Sequence, residues 1–191
     1  MNYFMNYVDS VSSVLKEMIV TDRSGNSMSA DEGLVRWCDM TRKLQQGNRT
    51  MYFVGNGASA MMASHMAADA SKNGEIRSQA FNDVALMTAV SNDIAYKECF
   101  AMPLKRFAEP GDVLVTISSS GNSPNVIRGI ETARELELSV VTVSGMKSDN
   151  RSRQMGDLNF YVPADTYGVV EAAHQVLLHC WLDRFVEIGE G

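Results

Sequence analysis

Apolar positions form a helical stripe in the first part of the chain. Between residues 3 and 20 the stripe consists of Phe4, Val8, Val11, Val14, Leu15 and Met18. This spacing predicts an amphipathic helix over residues 3–20. The polar connection DRSGNSMSADEG follows, and its Ser29 is placed to cap a second helix, which we expect to run to about Gln46.

From residue 50 the pattern changes to short apolar runs that alternate with helical segments. The runs predict strands at residues 50–55, 79–81, 112–118, 138–145 and 158–163. Helical patterns occupy residues 58–72, 83–108 (in one or two pieces), 123–136 and 167–187. Strands that are apolar throughout and alternate with helices indicate a parallel sheet covered on both faces.

The predicted fold class is therefore α/β, with a doubly wound, five-stranded parallel sheet flanked by helices and two helices at the N-terminus. We expect one domain over residues 1–191, in which residues 1–48 hold the N-terminal helices and residues 49–188 form the α/β core.

Charge and composition exclude several classes of protein. The formal net charge is −6 and the chain has no run of Lys and Arg, which argues against a nucleic-acid binder. No stretch approaches the roughly 20 apolar residues that span a bilayer, and the N-terminus lacks the features of a signal peptide. Cys38, Cys99 and Cys180 are widely spaced and fit no metal or redox motif. We expect a cytoplasmic protein that binds neither nucleic acid nor membrane.

Two loops after predicted strands have the composition of anion sites. Ligands of such sheets bind beyond the carboxyl ends of the strands. Residues 118–123, SSSGNS, lie between a buried strand and Pro124, which begins a helix. Serine hydroxyls and the free N–H groups of a helix N-terminus together favour a phosphate, and Gly121 permits a tight turn. The alternative is that Ser123 only caps its helix.

The second loop, GNGASA at residues 55–60, matches neither the dinucleotide fingerprint nor the Walker loop. Together, the two loops suggest a small phosphorylated ligand without a nucleotide.

Ionisable residues recur on one face of two predicted helices. His65 and Asp69 are four residues apart, and Glu171 and His179 share a face of the last helix. A straight helix would place Glu171 about 12 Å from His179, so one metal ion could take both only if the side chains lean together. His174 competes with His179 for the same role. The alternative is an ordinary surface pair and a core histidine.

The motifs resemble those of the sugar isomerase (SIS) fold. GNGASAMMASHMAAD, SNDIAY and ISSSGNSPNVIRGIETA, with a final helix that carries histidine, cover about residues 30–188. Within this fold, the chain resembles the phosphoheptose isomerases. The resemblance implies a cytoplasmic homotetramer with sites between subunits, and a metal-assisted enediol proton transfer that interconverts sedoheptulose 7-phosphate and D-glycero-D-manno-heptose 7-phosphate.

The resemblance also implies roles for individual residues. The phosphate ligands would be Ser118, Ser119, Ser120 and Ser123. The sugar would be bound by Asn56, Gly57, Ala58, Ser59, Asn92, Asp93 and Glu171. Zinc would be bound by His65, Asp69, Glu171 and His179. Asp69 stands where the family has Glu, and Glu171 where the family has Gln, so either carboxylate is a candidate for the base, with His179 as the acid/base.

Two other functions fit the same fold. One is a non-catalytic tetramer that resembles the DnaA-initiator-associating proteins and binds a protein partner such as a replication initiator; the departures at Asp69 and Glu171 keep it open. The other is a sugar-phosphate sensor, which would carry a DNA-binding domain, and the sequence has no basic helix-turn-helix segment.

Overall fold

The computed structural model describes residues 2–189 and forms one seven-stranded sheet within that range. The strands are β1 (Ile19–Asp22), β2 (Ser27–Met28), β3 (Met51–Gly55), β4 (Ser78–Ala80), β5 (Val113–Ser118), β6 (Ser139–Gly145) and β7 (Leu158–Val162). The helices are α1 (Tyr3–Lys16), α2 (Ala30–Gln46), α3 (Ala58–Lys72), α4 (Val84–Val90), α5 (Ala101–Phe107), α6 (Pro124–Glu135) and α7 (Tyr167–Gly189). A π-helical turn spans Ser91–Ala95, and 3-10 turns span Tyr96–Glu98 and Ser152–Gln154.

The five predicted strands form the parallel centre of the sheet, in the order β7-β6-β5-β3-β4. Successive residues of a strand point to opposite faces, and both faces are covered by helices. Phe53 and Val115 pack with α2, α3 and α7 on one face, whereas Tyr52 and Leu114 pack with α5 and α6 on the other. The predicted fold class is confirmed.

A small antiparallel hairpin extends the sheet beyond the prediction. The first helix ends at Lys16 rather than at residue 20, and β1 pairs antiparallel with both β2 and β7. Val20 is buried against α2, where a side chain at Gly33 would meet Val20 Cγ1 at 2.7 Å. Asp22 closes the turn by accepting hydrogen bonds from the N–H groups of Ser24 and Asn26. The end of the predicted first helix and the polar connection after it therefore contain β1, which is paired on both sides, and the edge strand β2.

The second predicted helix begins as expected. The backbone N–H of Glu32 donates to Ser29 Oγ at 3.2 Å, and the N–H of Ser29 donates to Glu32 Oε2 at 2.8 Å, which is a capping box. The indole of Trp37 then stacks on Trp181 of α7 with the ring centroids 4.5 Å apart. This buried contact attaches the last helix to α2. Within residues 2–189, no helix combines the length and the apolar character needed to cross a membrane.

Candidate active site

The serine loop lies where β5 meets the N-terminus of α6. Ser118 and Ser119 are buried, whereas Ser120 and Ser123 are half-buried. The N–H of Gly121 donates to the Ser118 carbonyl oxygen at 3.0 Å, which forms a tight turn. Gly121 has a φ of +61°, and a Cβ there would collide with the side chain of Asn150. A glycine is thus required for both backbone conformation and space.

The neighbouring strand holds this loop in place. The N–H of Gly145, at the end of β6, donates to the Ser119 carbonyl oxygen at 3.1 Å, and the N–H of Ser152 donates to the Gly121 carbonyl oxygen at 2.9 Å. The side chain of Ser123 makes no capping hydrogen bond with any residue of the described range. The Ser123 hydroxyl is therefore left open to an anion. The first turn of α6 offers fewer N–H groups, since Pro124 has none and the N–H of Val126 donates to Asn125 Oδ1 at 3.0 Å.

The second loop connects β3 to α3. Gly57 precedes α3 with a φ of +57°, and a Cβ added to it would meet no atom within 4 Å, so the turn is open on that side. Ala58 is exposed, but Ser59 is buried against Gly55. Ser59 therefore lies beneath the loop, whereas Asn56, Gly57 and Ala58 are at least partly accessible.

Asn56 joins the two loops. Its carboxamide pairs with that of Asn125, in the first turn of α6, through hydrogen bonds of 2.9 and 2.8 Å. The hydroxyl of Tyr96 donates to Asn56 Oδ1 at 2.8 Å. The sequence analysis did not identify Asn125 and Tyr96 as site residues, although Asn125 lies in the motif ISSSGNSPNVIRGIETA and Tyr96 in SNDIAY. Asn92 and Asp93 lie exposed in the π-helical turn, where Asn92 Nδ2 donates to Asp93 Oδ1 at 2.8 Å.

Three predicted metal ligands come together between α3 and α7. The ligand atoms of His65, Asp69 and His179 all lie within 4.8 Å of one another. His65 Nε2 is 3.3 Å from Asp69 Oδ2, and the two imidazole centroids are 5.2 Å apart. His65 is exposed and the other two are half-buried. Two imidazoles and one carboxylate with access to solvent fit a divalent cation that keeps an open position for a substrate.

The other residues of α7 that the sequence suggested lie elsewhere. Glu171 is half-buried two turns before His179 and does not join the three ligands in the part of the chain that the structure describes. His174 is fully buried, its Nε2 lies 3.1 Å from the carbonyl oxygen of Ser144, and burial lowers the pKa of His174 to about 4. Of the two competing histidines, His179 is therefore the one at the cluster.

Comparisons with known proteins show the family to which the chain belongs. The family model of the SIS domain matches residues 6–145, which include both loops, His65 and Asp69. The phosphoheptose isomerase of Azoarcus sp. (strain BH72) is 36% identical over 153 residues, which cover 75% of this chain and 77% of the relative.

Solved structures match nearly the whole chain. A phosphoheptose isomerase from Neisseria gonorrhoeae superposes with a TM-score of 0.81 at 25% identity, over 96% of this chain and 95% of the other. One from Francisella tularensis gives 0.82 at 22% identity, over 97% and 95%; at that identity the likeness concerns the fold. Both matches extend past residue 145 and so include most of α7.

Proposed function

The chain belongs to the SIS domain family and, within it, to the phosphoheptose isomerases, and from this premise we propose that it is an aldose–ketose isomerase of a phosphorylated sugar. The resemblance to this family, and the isomerase class that the resemblance implies, are confirmed by the comparisons. We propose sedoheptulose 7-phosphate and D-glycero-D-manno-heptose 7-phosphate as its substrate pair, because relatives that are 36% and 35% identical to it are phosphoheptose isomerases.

The observation that carries this proposal is the meeting of His65, Asp69 and His179. Aldose–ketose isomerisation needs a base that moves a proton between C1 and C2 and an acid that moves a proton between the two oxygens. Asp69 supplies a carboxylate within 3.3 Å of an imidazole, so we assign it as the base and His179 as the acid/base. Glu171 stays the alternative base.

The same three side chains would hold the metal ion, with Glu171 as a candidate fourth ligand. We propose zinc, because imidazole and carboxylate are among its usual ligands. When bound, zinc polarises a substrate carbonyl and favours its enolisation. Asp69 is one methylene shorter than the Glu of the family pattern, and a difference of about 1 Å matters for catalytic geometry.

The serine loop would hold the phosphate. The hydroxyls of Ser118, Ser119, Ser120 and Ser123 and the N-terminus of α6 supply hydrogen-bond donors and a positive dipole. Asn56, Gly57, Ala58, Asn92 and Asp93 would face the sugar. Ser59, which packs beneath the loop against Gly55, would support the loop.

We further propose a cytoplasmic homotetramer. The first helix exposes large apolar side chains that a second copy would cover: Tyr3, Phe4, Met5 and Val8. The three cysteines are free thiols, which agrees with a reducing compartment. The single-domain organisation, with N-terminal helices in residues 1–48 and a core in residues 49–188, is part of the same proposal.

Proton exchange tests the function. The protein is incubated with sedoheptulose 7-phosphate in D₂O, with and without zinc, and the sugar is followed by NMR. We expect deuterium to enter beside the carbonyl, to stop entering after chelation, and to enter again when zinc is restored. A folded protein that gives no exchange with this or shorter ketose phosphates would refute the isomerase and favour the protein-binding alternative, to which the Asp69 and Glu171 departures point.

Variants assign the roles. His179→Ala should abolish exchange and leave folding intact, and Asp69→Asn should reduce exchange roughly 10²- to 10⁴-fold, the usual contribution of a general base. Asp69→Glu restores the residue of the family pattern and should keep exchange. Asp39→Asn is the matched control, because it removes an exposed carboxylate whose one ion pair within the described residues is with Arg42 on α2. Retained exchange in His179→Ala would contradict the assignment.

A further inference from the structure

Among the described residues, the amide pair between Asn56 and Asn125 is the only side-chain hydrogen-bonded link between the GNGASA loop and the first turn of α6, which directly follows the serine loop. Asn56 is half-buried at the end of β3, and Asn125 is 1% exposed in the first turn of α6. The two carboxamides face each other head to tail, so each donates one N–H and each accepts one. Such a pair is geometrically symmetric, and both amides could be reversed together without breaking it.

A backbone donor removes this ambiguity. The N–H of Val126 lies 3.0 Å from Asn125 Oδ1. A backbone N–H can only donate, so the oxygen of the Asn125 carboxamide must point toward it, and a reversed amide would set two donors against each other. The orientation of Asn125 is therefore fixed by the start of α6. Because the pair is head to tail, Asn125 favours one orientation of the Asn56 carboxamide, and the hydroxyl of Tyr96, which donates to the same Asn56 oxygen, restricts it further.

Counting the hydrogen bonds shows what remains available. Asn125 is saturated: Oδ1 accepts from Val126 and Asn56, while Nδ2 donates to Asn56 and, at 3.3 Å, to Cys99 Sγ. Asn56 Oδ1 accepts from Asn125 and from the hydroxyl of Tyr96, which fills both lone pairs. One N–H of Asn56 is used by Asn125. A single N–H of Asn56 is left.

Tyr96 completes the arrangement from the far side. Since Asn56 presents its oxygen to the phenol, the hydroxyl of Tyr96 has to donate. Burial raises the pKa of Tyr96, which keeps the phenol protonated and able to donate at neutral pH. Tyr96 is nevertheless 52% exposed, so its removal should perturb the core little.

We propose that Asn125 and Tyr96 are positioning residues that hold the Asn56 carboxamide in one orientation, so that it offers a bound sugar phosphate one N–H donor and no acceptor. Asn56 would then donate to the lone pair of a carbonyl or hydroxyl oxygen of the sugar. It would form no hydrogen bond with a ligand group that can only donate. The inference rests on the proposed function for the identity of the ligand, but not for the geometry of the amides.

A double-mutant cycle tests it. The affinity for sedoheptulose 7-phosphate and for inorganic phosphate is measured by calorimetry in the wild-type protein, in Tyr96→Phe, in Asn56→Ala and in the double variant. Loss of one hydrogen bond corresponds to a roughly three- to tenfold loss of affinity. We expect this loss for the sugar phosphate in Tyr96→Phe, no change for inorganic phosphate, and no further loss when Tyr96→Phe is added to Asn56→Ala.

The control removes an equal bond elsewhere. The hydroxyl of Tyr52 donates to the Phe107 carbonyl oxygen at 2.8 Å, at the start of β3 and away from both loops, so Tyr52→Phe should leave both affinities unchanged. If Asn125→Ala folds, it should show the same loss of affinity for the sugar phosphate as Tyr96→Phe. If it does not fold, the double-mutant cycle of Tyr96→Phe and Asn56→Ala still tests the proposal. Three results would overturn the proposal. The losses of affinity in Tyr96→Phe and Asn56→Ala could multiply in the double variant, Tyr96→Phe could leave the affinity for the sugar phosphate unchanged, or it could lower the affinity for inorganic phosphate equally.

The isomerase proposal and the inference about Asn56 are refuted by different results. A wild-type protein that binds sedoheptulose 7-phosphate but does not turn it over would refute the isomerase and leave the cycle readable from the dissociation constants. A wild-type protein that binds the sugar phosphate no better than inorganic phosphate would overturn the role of Asn56, since its free N–H would then contribute nothing.

Discussion

Protonation of His174 should destabilise the fold at mildly acidic pH. The side chain is fully buried between α7 and β6, and its Nε2–H donates to the carbonyl oxygen of Ser144. That bond fixes the neutral tautomer and leaves Nδ1 without a partner in the described chain. Burial lowers the pKa of His174 from 6.5 to about 4, and the hydrogen bond to Ser144 opposes this only in part. A second proton, on Nδ1, would have no acceptor among the described residues.

The magnitude follows from linkage. Between pH 6.5 and pH 4 the unfolded chain binds a proton at His174 that the folded chain does not, so the free energy of unfolding falls as the pH falls through this window. The contribution is complete above pH 6.5 and is lost as the pH approaches 4. At about 1.4 kcal/mol per pKa unit, the loss is about 3 kcal/mol.

Urea unfolding from about pH 7.5 to about pH 4 measures this loss. The wild type is compared with His174→Met at one protein concentration, because any association would shift both curves. Other ionisable groups are common to both proteins, so the difference between the two profiles reports His174. We expect the variant to lose about 3 kcal/mol less over the window, whatever its stability at neutral pH. Parallel profiles would refute the argument.

Two further predictions concern the packing that supports the site. Gly121→Ala should lower the free energy of unfolding by about 2–4 kcal/mol in urea titrations and abolish inorganic phosphate binding, because a positive φ and a collision with Asn150 act together. The control is Gly25→Ala, which should lower the free energy of unfolding by only about 1–2 kcal/mol, because Gly25 has a φ of +83° but no atom near an added Cβ. Trp37→Ala should lower the free energy of unfolding by about 3–5 kcal/mol. Trp37→Phe should lower it clearly less, because the indole N–H that it removes is buried without a partner in the described residues. Equal losses of stability in the two variants would contradict this.

Local patterns were enough to predict the parallel sheet and its loops. Strands such as Val113–Ser118 are buried on both faces, and the glycines and serines of the loops after them are recognisable within a short segment. The hairpin was missed because β1 has only four residues, of which one is fully buried. Met18 also continues the spacing of α1, so helical periodicity extended up to the start of β1.

Long-range contacts limited the prediction of the site. His65 and Asp69 face the same way because they are four residues apart. Residue spacing alone did not decide between His174 and His179, which differ in burial through tertiary contacts, and only the family resemblance favoured His179. Asn125 contacts a residue 69 positions earlier in the chain and Tyr96 one 40 positions earlier. No local pattern distinguishes such a pair from ordinary loop asparagines and tyrosines.

The core of α7 determines which histidine reaches the cluster. Ala173, His174, Leu177, Leu178 and Trp181 are all buried, and this spacing sets the rotation of the helix. His179 follows Leu178 by one residue, about 100° around the axis, so it lies at the edge of the buried face, half-exposed and turned toward α3. A rotation by one residue would bury His179 and bring a neighbour to the cluster. The apolar contacts of Leu178 and Trp181 are thus as necessary for the geometry of the candidate metal centre as its ligands.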